Sequence, residues 1–559
     1  MEGITSTDYT VLRGDSSWII LPRNLSFEEP GYLKAAEAGA YTFYIRSGES
    51  LSNGNKKYYF GSVFGKSIPE IRFGYYTSVS FNENKIIVSN DQTGVGKFFY
   101  SSGLVKGASS DLKLLLKYTG ASVKKENALL LLLFNYPVFG RTLYNEVRYS
   151  EPGSMLELSS EGIKETGELL HDGTRNQPGG KKEIKSLSEI LCMITSEAAN
   201  EYTRTDLTLT GGYDSRLVLA ALLAAEIRPA VYTFGDPGSA DCLTAREVSR
   251  KMGLVHRAVP FEYINPLQLE EQLTEITRTS GGLLNPFRII RLRALQKISD
   301  PSGLLLLGYG GSEILRGIFP EGLLVSDFYA NFVKTGDLSV NAIKKFTGKF
   351  NLIADEDLLK RTSQILEENR HQLGQYNYMI KVILPMHFGE DIRYLMHTGL
   401  NCYSPFMDAR FIQGSLDLGL LPLWFDQAEA DLKDSRLKRI DNPRVSARMM
   451  LYLNRELSGY NLNRGYAPAD YIFSKYYAGL KLLVTRYSGG KKNPVTKLNP
   501  WLNDFFRSTG LQPGNPLDFD EKLLAKKLEE ENPVTEYDFL PWTKLWILNK
   551  SVYFSFPGR

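Results

Sequence analysis

Apolar and polar positions alternate through the first 170 residues. The runs SWIILP (17–22), AYTFYIRSG (40–48), KKYYFGSVFG (56–65), YYTSVSFNENKIIVSN (75–90) and SMLELSS (154–160) are short and rich in β-branched and aromatic residues. Gly, Asn, Asp and Ser separate them. That pattern predicts strands joined by tight turns. Two stretches break it, GASSDLKLLLKYTG (107–120) and KKENALLLLLFNY (124–136), and both predict helices. A polar run at 171–186, with Pro-Gly-Gly and several lysines, reads as a linker. Beyond it the period changes. SEILCMITSEAANEY (188–202) is helical and DLTLT (206–210) is a strand. DSRLVLAALLAAE (214–226) is helical, PAVYTFG (229–235) a strand, ADCLTAREVSRKMG (240–253) a helix and VHRAVPF (255–261) a strand. LQLEEQLTEITR (267–278) is helical, and GLLLLGYGG (303–311) is an apolar strand ending in glycines. Strands alternating with helices of this length predict a parallel sheet covered on both faces. From about residue 320 the pattern is mainly helical and aromatic-rich. The expectation is a two-domain chain, α/β and α+β, with a mostly β unit at 1–170, a linker at 171–186 and an α/β unit at 187–559.

Composition narrows the class. At 559 residues the chain exceeds one ordinary core, and 43% apolar with 23% charged residues is a globular balance. A net charge of +3 is too small for this length to favour a nucleic-acid or membrane partner. The three cysteines, Cys192, Cys242 and Cys402, lie far apart with no CxxC, which argues against a disulfide framework or a zinc site. The N-terminal stretch lacks the basic and apolar regions of a signal peptide, and no run of about 20 apolar residues could span a bilayer. A cytoplasmic location is expected.

Candidate chemistry concentrates where LTLT meets GGYDSR. Ligands bind beyond the carboxyl ends of strands in open parallel sheets, and both this junction and LLLLG–YGGSE fall at such ends. Gly211 and Gly212 lack side chains that would keep backbone N–H groups from an anion, and the following helix adds its positive dipole. Ser215 offers a hydroxyl. Asp214 offers a hard oxygen suited to magnesium. The combination is that of a pyrophosphate cradle, without the spacing or lysine of a Walker loop.

The segment TGGYDSR is similar to the SGGxDS loop of the ATP-pyrophosphatase superfamily, specifically of asparagine synthetases and β-lactam synthetases. VYTFG (231–235) resembles that family's second strand, beside the adenine. SADCLTAREVSRKMGLVHRAVPF (239–261) resembles its acidic residue, A-R-x-V helix and following strand. LGYGGSEILRG (307–317) resembles SGEGADELFGG, and YSPFMDARFI (403–412) resembles VPFLDKEFL. In the front half, KIIVSNDQTGVGKFFYS (85–101) and GRTLYNEVRYSEPGSMLEL (140–158) resemble segments of the family's glutamine-hydrolysing domain. The resemblance implies an N-terminal Ntn-type αββα sandwich, followed by a doubly wound parallel-sheet ATP-pyrophosphatase domain with a helical C-terminal part. It implies ATP and Mg²⁺ as cofactors. The nucleotide would contact Leu209, Thr210, Gly211, Gly212, Asp214, Ser215, Thr233, Phe234, Gly235, Gly308 and Gly310, and the metal would be held by Asp214 and Glu313.

The chain also departs from the family. The glutaminase nucleophile is a cysteine after Met1, whereas position 2 here is Glu2 and the first cysteine is Cys192. The front domain is therefore expected to be a remnant, and the amine must come from elsewhere. Tyr309 stands at the motif's glutamate and Ser312 at its magnesium-binding aspartate. β-Lactam synthetases use a tyrosine–glutamate pair to deprotonate the attacking amine, which places Tyr309 with Glu390, or its neighbour Asp391, in that role. Arg464 or Lys475 would stabilise developing charge. Arg216 is a phosphate or carboxylate contact or a surface cation; His256 and His397 read as structural. The segment 279–295 (TSGGLLNPFRIIRLRAL) is apolar and basic, which favours an acid other than aspartate.

The expected activity is an AMP-forming amide ligase that adenylates a small-molecule or peptide carboxylate and couples it to an amine. Intramolecular cyclisation, amidation of a sugar acid or other metabolite, and a non-catalytic scaffold are the alternatives. A homodimer or a pathway-enzyme partner is left open.

Overall fold

The computed structural model describes residues 5–6, 9–12, 16–46, 57–64, 73–167, 170, 179–262, 265–280, 282–285, 288–298, 300, 302–316, 325–348, 355–421, 443–487 and 547. Glu2 and most of the polar run, 171–178, lie outside them.

The run SWIILP forms the strand Ser17–Pro22, and all its apolar side chains are buried because both of its faces are covered. Trp18 and Ile20 point into a core shared with a second sheet, against Phe43, Phe60 and Phe98. Ile19 and Leu21 point outward onto Leu114 of the helix Leu112–Thr119, which Asp111 caps by accepting from the Leu114 amide at 3.1 Å. A continuous apolar run is what a doubly covered strand requires. The two sheets, of six and seven strands, pack face to face. The described residues supply one of the two expected helical layers. The outer face of the seven-stranded sheet carries a small buried cluster of Val11 and Tyr59 with Tyr76 packed against it. The leucine-rich helix Lys125–Phe134 is buried almost all round, because it sits against helices Asp327–Thr335 and Glu356–Glu368.

The expected linker ends earlier than its composition indicates. A 20-residue helix, Lys181–Asn200, begins inside it. Glu183 accepts from the Gly180 amide at 2.9 Å, and Ile184, Leu187, Leu191 and Ile194 form the buried stripe that holds the helix down.

Five strands form the second unit's sheet, in the order His256–Val259, Ala230–Phe234, Thr205–Thr208, Leu304–Leu306, Asn401–Tyr403, and every pairing is parallel. In chain order this is 3-2-1-4-5. The strand order reverses between Thr205–Thr208 and Leu304–Leu306, which is where such sheets leave a crevice. The strand at 401–403 is an addition to the sequence-based expectation. So is a wide-turn π-helical stretch, Met379–Gly389, containing Pro385. The two units are closely joined. The Tyr75 hydroxyl donates to the Ser404 carbonyl at 2.9 Å and accepts from the Ser404 amide at 3.2 Å. No helix among the described residues is long and apolar enough to cross a membrane.

Candidate active site

At the switch point the two glycine loops interlock. A Cβ on Gly308 would lie 2.8 Å from the Ser215 nitrogen, and one on Gly311 would lie 3.0 Å from the Asp214 Cβ. Glycine is required at both positions for the loops to touch. Together they border a cavity of about 200 Å³ lined by Thr208, Thr210, Gly212, Tyr213, Asp214, Ser215, Gly308, Tyr309 and Arg464, with Arg316, Leu462 and Asn463. The structure thus brings Arg464, Tyr309 and much of the first loop to one place.

The first loop is braced internally. The Thr210 amide donates to Ser215 Oγ at 3.0 Å, the Gly211 amide to Asp241 Oδ1 at 2.9 Å and the Gly212 amide to Thr210 Oγ1 at 3.3 Å. Asn463 Nδ2 donates to the same Asp241 oxygen at 2.9 Å, and a Cβ on Gly211 would lie only 2.4 Å from Asn463 Cβ. Three amides that the glycine pattern offers to an anion therefore already have acceptors.

The remaining expected contacts lie outside the cavity lining. The Leu209 carbonyl accepts from Thr233 Oγ1 at 2.7 Å, and Thr233 Oγ1 also bonds His256 Nε2 at 3.0 Å. His256 is structural. Phe234 and Gly235 follow on that strand, Gly235 at φ 107°, and Gly310 turns at φ 79°. Arg216 is buried and donates to the Tyr460 carbonyl at 3.0 Å, so it holds a loop rather than a phosphate. Lys475 is outside the lining too.

Glu390 is not Tyr309's partner. Its carboxylate is taken by Lys97 at 2.8 Å and Arg393 at 3.1 Å, at the join with the sandwich. Burial pushes its carboxyl up, but Arg393 and Lys97 together hold it below the usual value. His397 lines this second cavity with Lys97, Glu390 and Arg393. Asp391 is the carboxylate that acts on Tyr309, and it pairs with buried Arg288. Burial foremost, and then Asp391, drive the Tyr309 phenol well above its ordinary value, against Arg288 and Arg291. The phenol is thereby kept in its protonated form. Phe388 packs against its ring at 5.3 Å.

Glu313 is half-buried. Burial and the neighbouring Asp214 push its carboxyl up to about 7, with Arg316 opposing. Asp214 itself accepts from the Ser312 hydroxyl, and Arg316 Nη2 lies 3.5 Å from its other oxygen. Arg316 and Asn463 are absent from the sequence-based expectations. Arg316 was findable as the residue one turn beyond Ser312, whereas Asn463 has no local signal.

The family model for asparagine synthase matches residues 204–419, which includes both loops and all five strands of the sheet. The chain carries an asparagine synthase domain. Over those residues the chain is similar to the asparagine synthase family, and the mixed α/β architecture with several sheets agrees. No curated protein matches the chain. Among solved structures, the allosteric regulatory enzyme of purine biosynthesis is 12% identical over 48% of this chain and 83% of its own, with a TM-score of 0.18. The glutamine phosphoribosylpyrophosphate amidotransferase from B. subtilis, complexed with ADP and GMP, is 14% identical over 33% of this chain and 32% of its own, with a TM-score of 0.11. Neither superposes closely enough to bear on fold or activity. Asparagine synthase-family enzymes are ATP-dependent amide-forming ligases that generally use Mg²⁺.

The residues of this asparagine synthase domain do not fit a resident Mg²⁺. Both oxygens of Asp214 are engaged, one by a hydroxyl and one by a guanidinium. Ser312 supplies a neutral oxygen where the family motif has a carboxylate.

Proposed function

We propose that this chain is an AMP-forming amide ligase. The observation that carries the proposal is the meeting of two glycine loops at the switch point of a parallel sheet, around a cavity that also presents Arg464 and Tyr309. ATP lies across the first loop with its phosphates toward Asp214 and Ser215. A substrate carboxylate attacks the α-phosphorus, giving an acyl-adenylate and releasing pyrophosphate. An amine then attacks the acyl carbon and AMP leaves. Cationic side chains fixed around the phosphates supply the charge stabilisation that dominates such steps. Glu313, titrating near 7, is matched to accept a proton at neutral pH. Tyr309, held protonated, donates a hydrogen bond.

The proposed units are a glutaminase-type Ntn remnant at 1–170 and a synthetase unit after the linker. For such a remnant the amine comes from solution, from a partner or from the substrate itself. Ring closure within one substrate and amidation of a sugar acid or other metabolite are the two forms the reaction can take. A second possibility, a non-catalytic scaffold, draws on the three loop amides that already have acceptors.

The test is acid-dependent exchange of labelled pyrophosphate into ATP across a panel of carboxylic acids, with Asp214→Ala as control. Exchange with at least one acid, lost in the variant, supports the ligase. Absence of ATP binding by the folded protein would leave the scaffold.

A further inference from the structure

A cation stands beside Asp214 without any metal. Arg316 lies one helical turn after Ser312 in the helix Gly311–Arg316, so both side chains share a face, and both reach the Asp214 carboxylate. The Arg316 side chain is 15% exposed and lines the cavity between the glycine loops. Aligned on SGEGADELFGG, Ser312 removes a negative charge and Arg316 replaces a glycine with a positive one. With Tyr309 at the motif's glutamate as well, the loop is three charges more positive than the motif.

Granting ATP as the ligand, on which this rests, we infer that Arg316 takes the place of the metal and holds the pyrophosphate arm of the nucleotide directly. A guanidinium presents a planar fork of donors that matches two phosphate oxygens, and it keeps its charge at every working pH. The need for it is local. Thr210 and Gly212 spend their amides inside the loop and Gly211 gives its own to Asp241, so side-chain cations must supply what the backbone does not. Asp214 becomes a positioning residue, keeping the guanidinium at the cavity wall until a phosphate draws it inward. A divalent ion at the same carboxylate would meet Arg316 head-on, and like charges at that range repel.

The experiment is calorimetric titration of ATP into the full chain, in EDTA and in excess Mg²⁺, for the native protein, Arg316→Ala and the double variant Ser312→Asp/Arg316→Gly. Thermal melting checks that each is folded, and Arg316→Lys stands in if the alanine variant is not. The native protein should bind ATP in EDTA within about threefold of its affinity in Mg²⁺. Arg316→Ala should bind about tenfold more weakly or worse in both buffers, the loss expected for a charged hydrogen-bonding group. The double variant should bind only with Mg²⁺. Native binding that requires Mg²⁺, or a folded Arg316→Ala with unchanged affinity, overturns the inference and leaves the ATP site standing. No binding by the native protein in either buffer removes the ATP site and the inference together.

Discussion

Lys97, Glu390 and Arg393 meet at the join of the sandwich and the α/β unit, where the side chains of Lys97 and Glu390 are each 1% exposed. Asp214 and Arg316 meet at the switch point, where their side chains are 23% and 15% exposed and border a cavity. The ingredients are alike, a carboxylate with basic partners, but the settings differ. In the first cluster, which also lines a cavity with His397, each charge is answered by another at 2.8–3.1 Å. In the second the ion pair is looser, at 3.5 Å, and the surrounding glycines keep side chains out of the space beside it. Pairing that is tight and buried holds packed layers together, whereas looser pairing is available for chemistry.

The sharpest test of that contrast is Glu390→Ala. It strands Lys97 in a buried site and should cost about 3–5 kcal/mol in urea unfolding, while ATP affinity of the folded protein stays within twofold. A small stability loss with lost ATP turnover would instead make the joining cluster catalytic.

Glu313→Gln comes next. The native carboxyl titrates at about 7 against an ordinary 4.5. Its contribution is fully present below about pH 4.5 and is lost as pH rises through 7, so the native protein carries a penalty at pH 8. The glutamine variant should therefore be more stable than native at pH 8, by up to about 3 kcal/mol, with the gap closing below pH 5. Melting curves across that range read it directly, and a pH-independent difference would mean Glu313 is not the titrating group.

Gly308→Ala forces a Cβ against the Ser215 backbone and should cost about 1–3 kcal/mol, with ATP binding weakened more than stability. Tyr309→Phe is the smallest change. It removes one hydrogen-bonding hydroxyl, worth about 1 kcal/mol, and should leave the alkaline limb of the pyrophosphate-exchange profile in place, because a phenol held protonated contributes no limb there. Disappearance of that limb would restore Tyr309 as a base.

The comparison also marks what the sequence could carry. The strands and helices bordering the first loop were legible because period and glycine punctuation coincide there. The strand Asn401–Tyr403 was not, being three residues in a uniformly apolar neighbourhood. The π-helical stretch Met379–Gly389 reads as any apolar helix, since its wider turn comes from packing around Pro385. The choice between Glu390 and Asp391 was beyond pattern alone. Neighbours on a helix point about 100° apart, so one faces the sandwich and the other faces Tyr309, and only the docked helix decides which. Asn463 reaches Asp241 across 222 residues and leaves no local trace.

Two of the cavity's three walls come from segments 98 residues apart, joined where Ser312 meets Asp214, and the third, Leu462 to Arg464, lies further along the chain. Such a pocket cannot form early in folding. Helices Asp214–Ala224 and Ala240–Lys251 close over local distances, but the pocket waits until Leu304–Leu306 docks beside Thr205–Thr208, a closure that carries the entropy of a long loop. During refolding, ellipticity should recover first and nucleotide capture second. A chain stalled between the two would be helical, largely collapsed and blind to ATP.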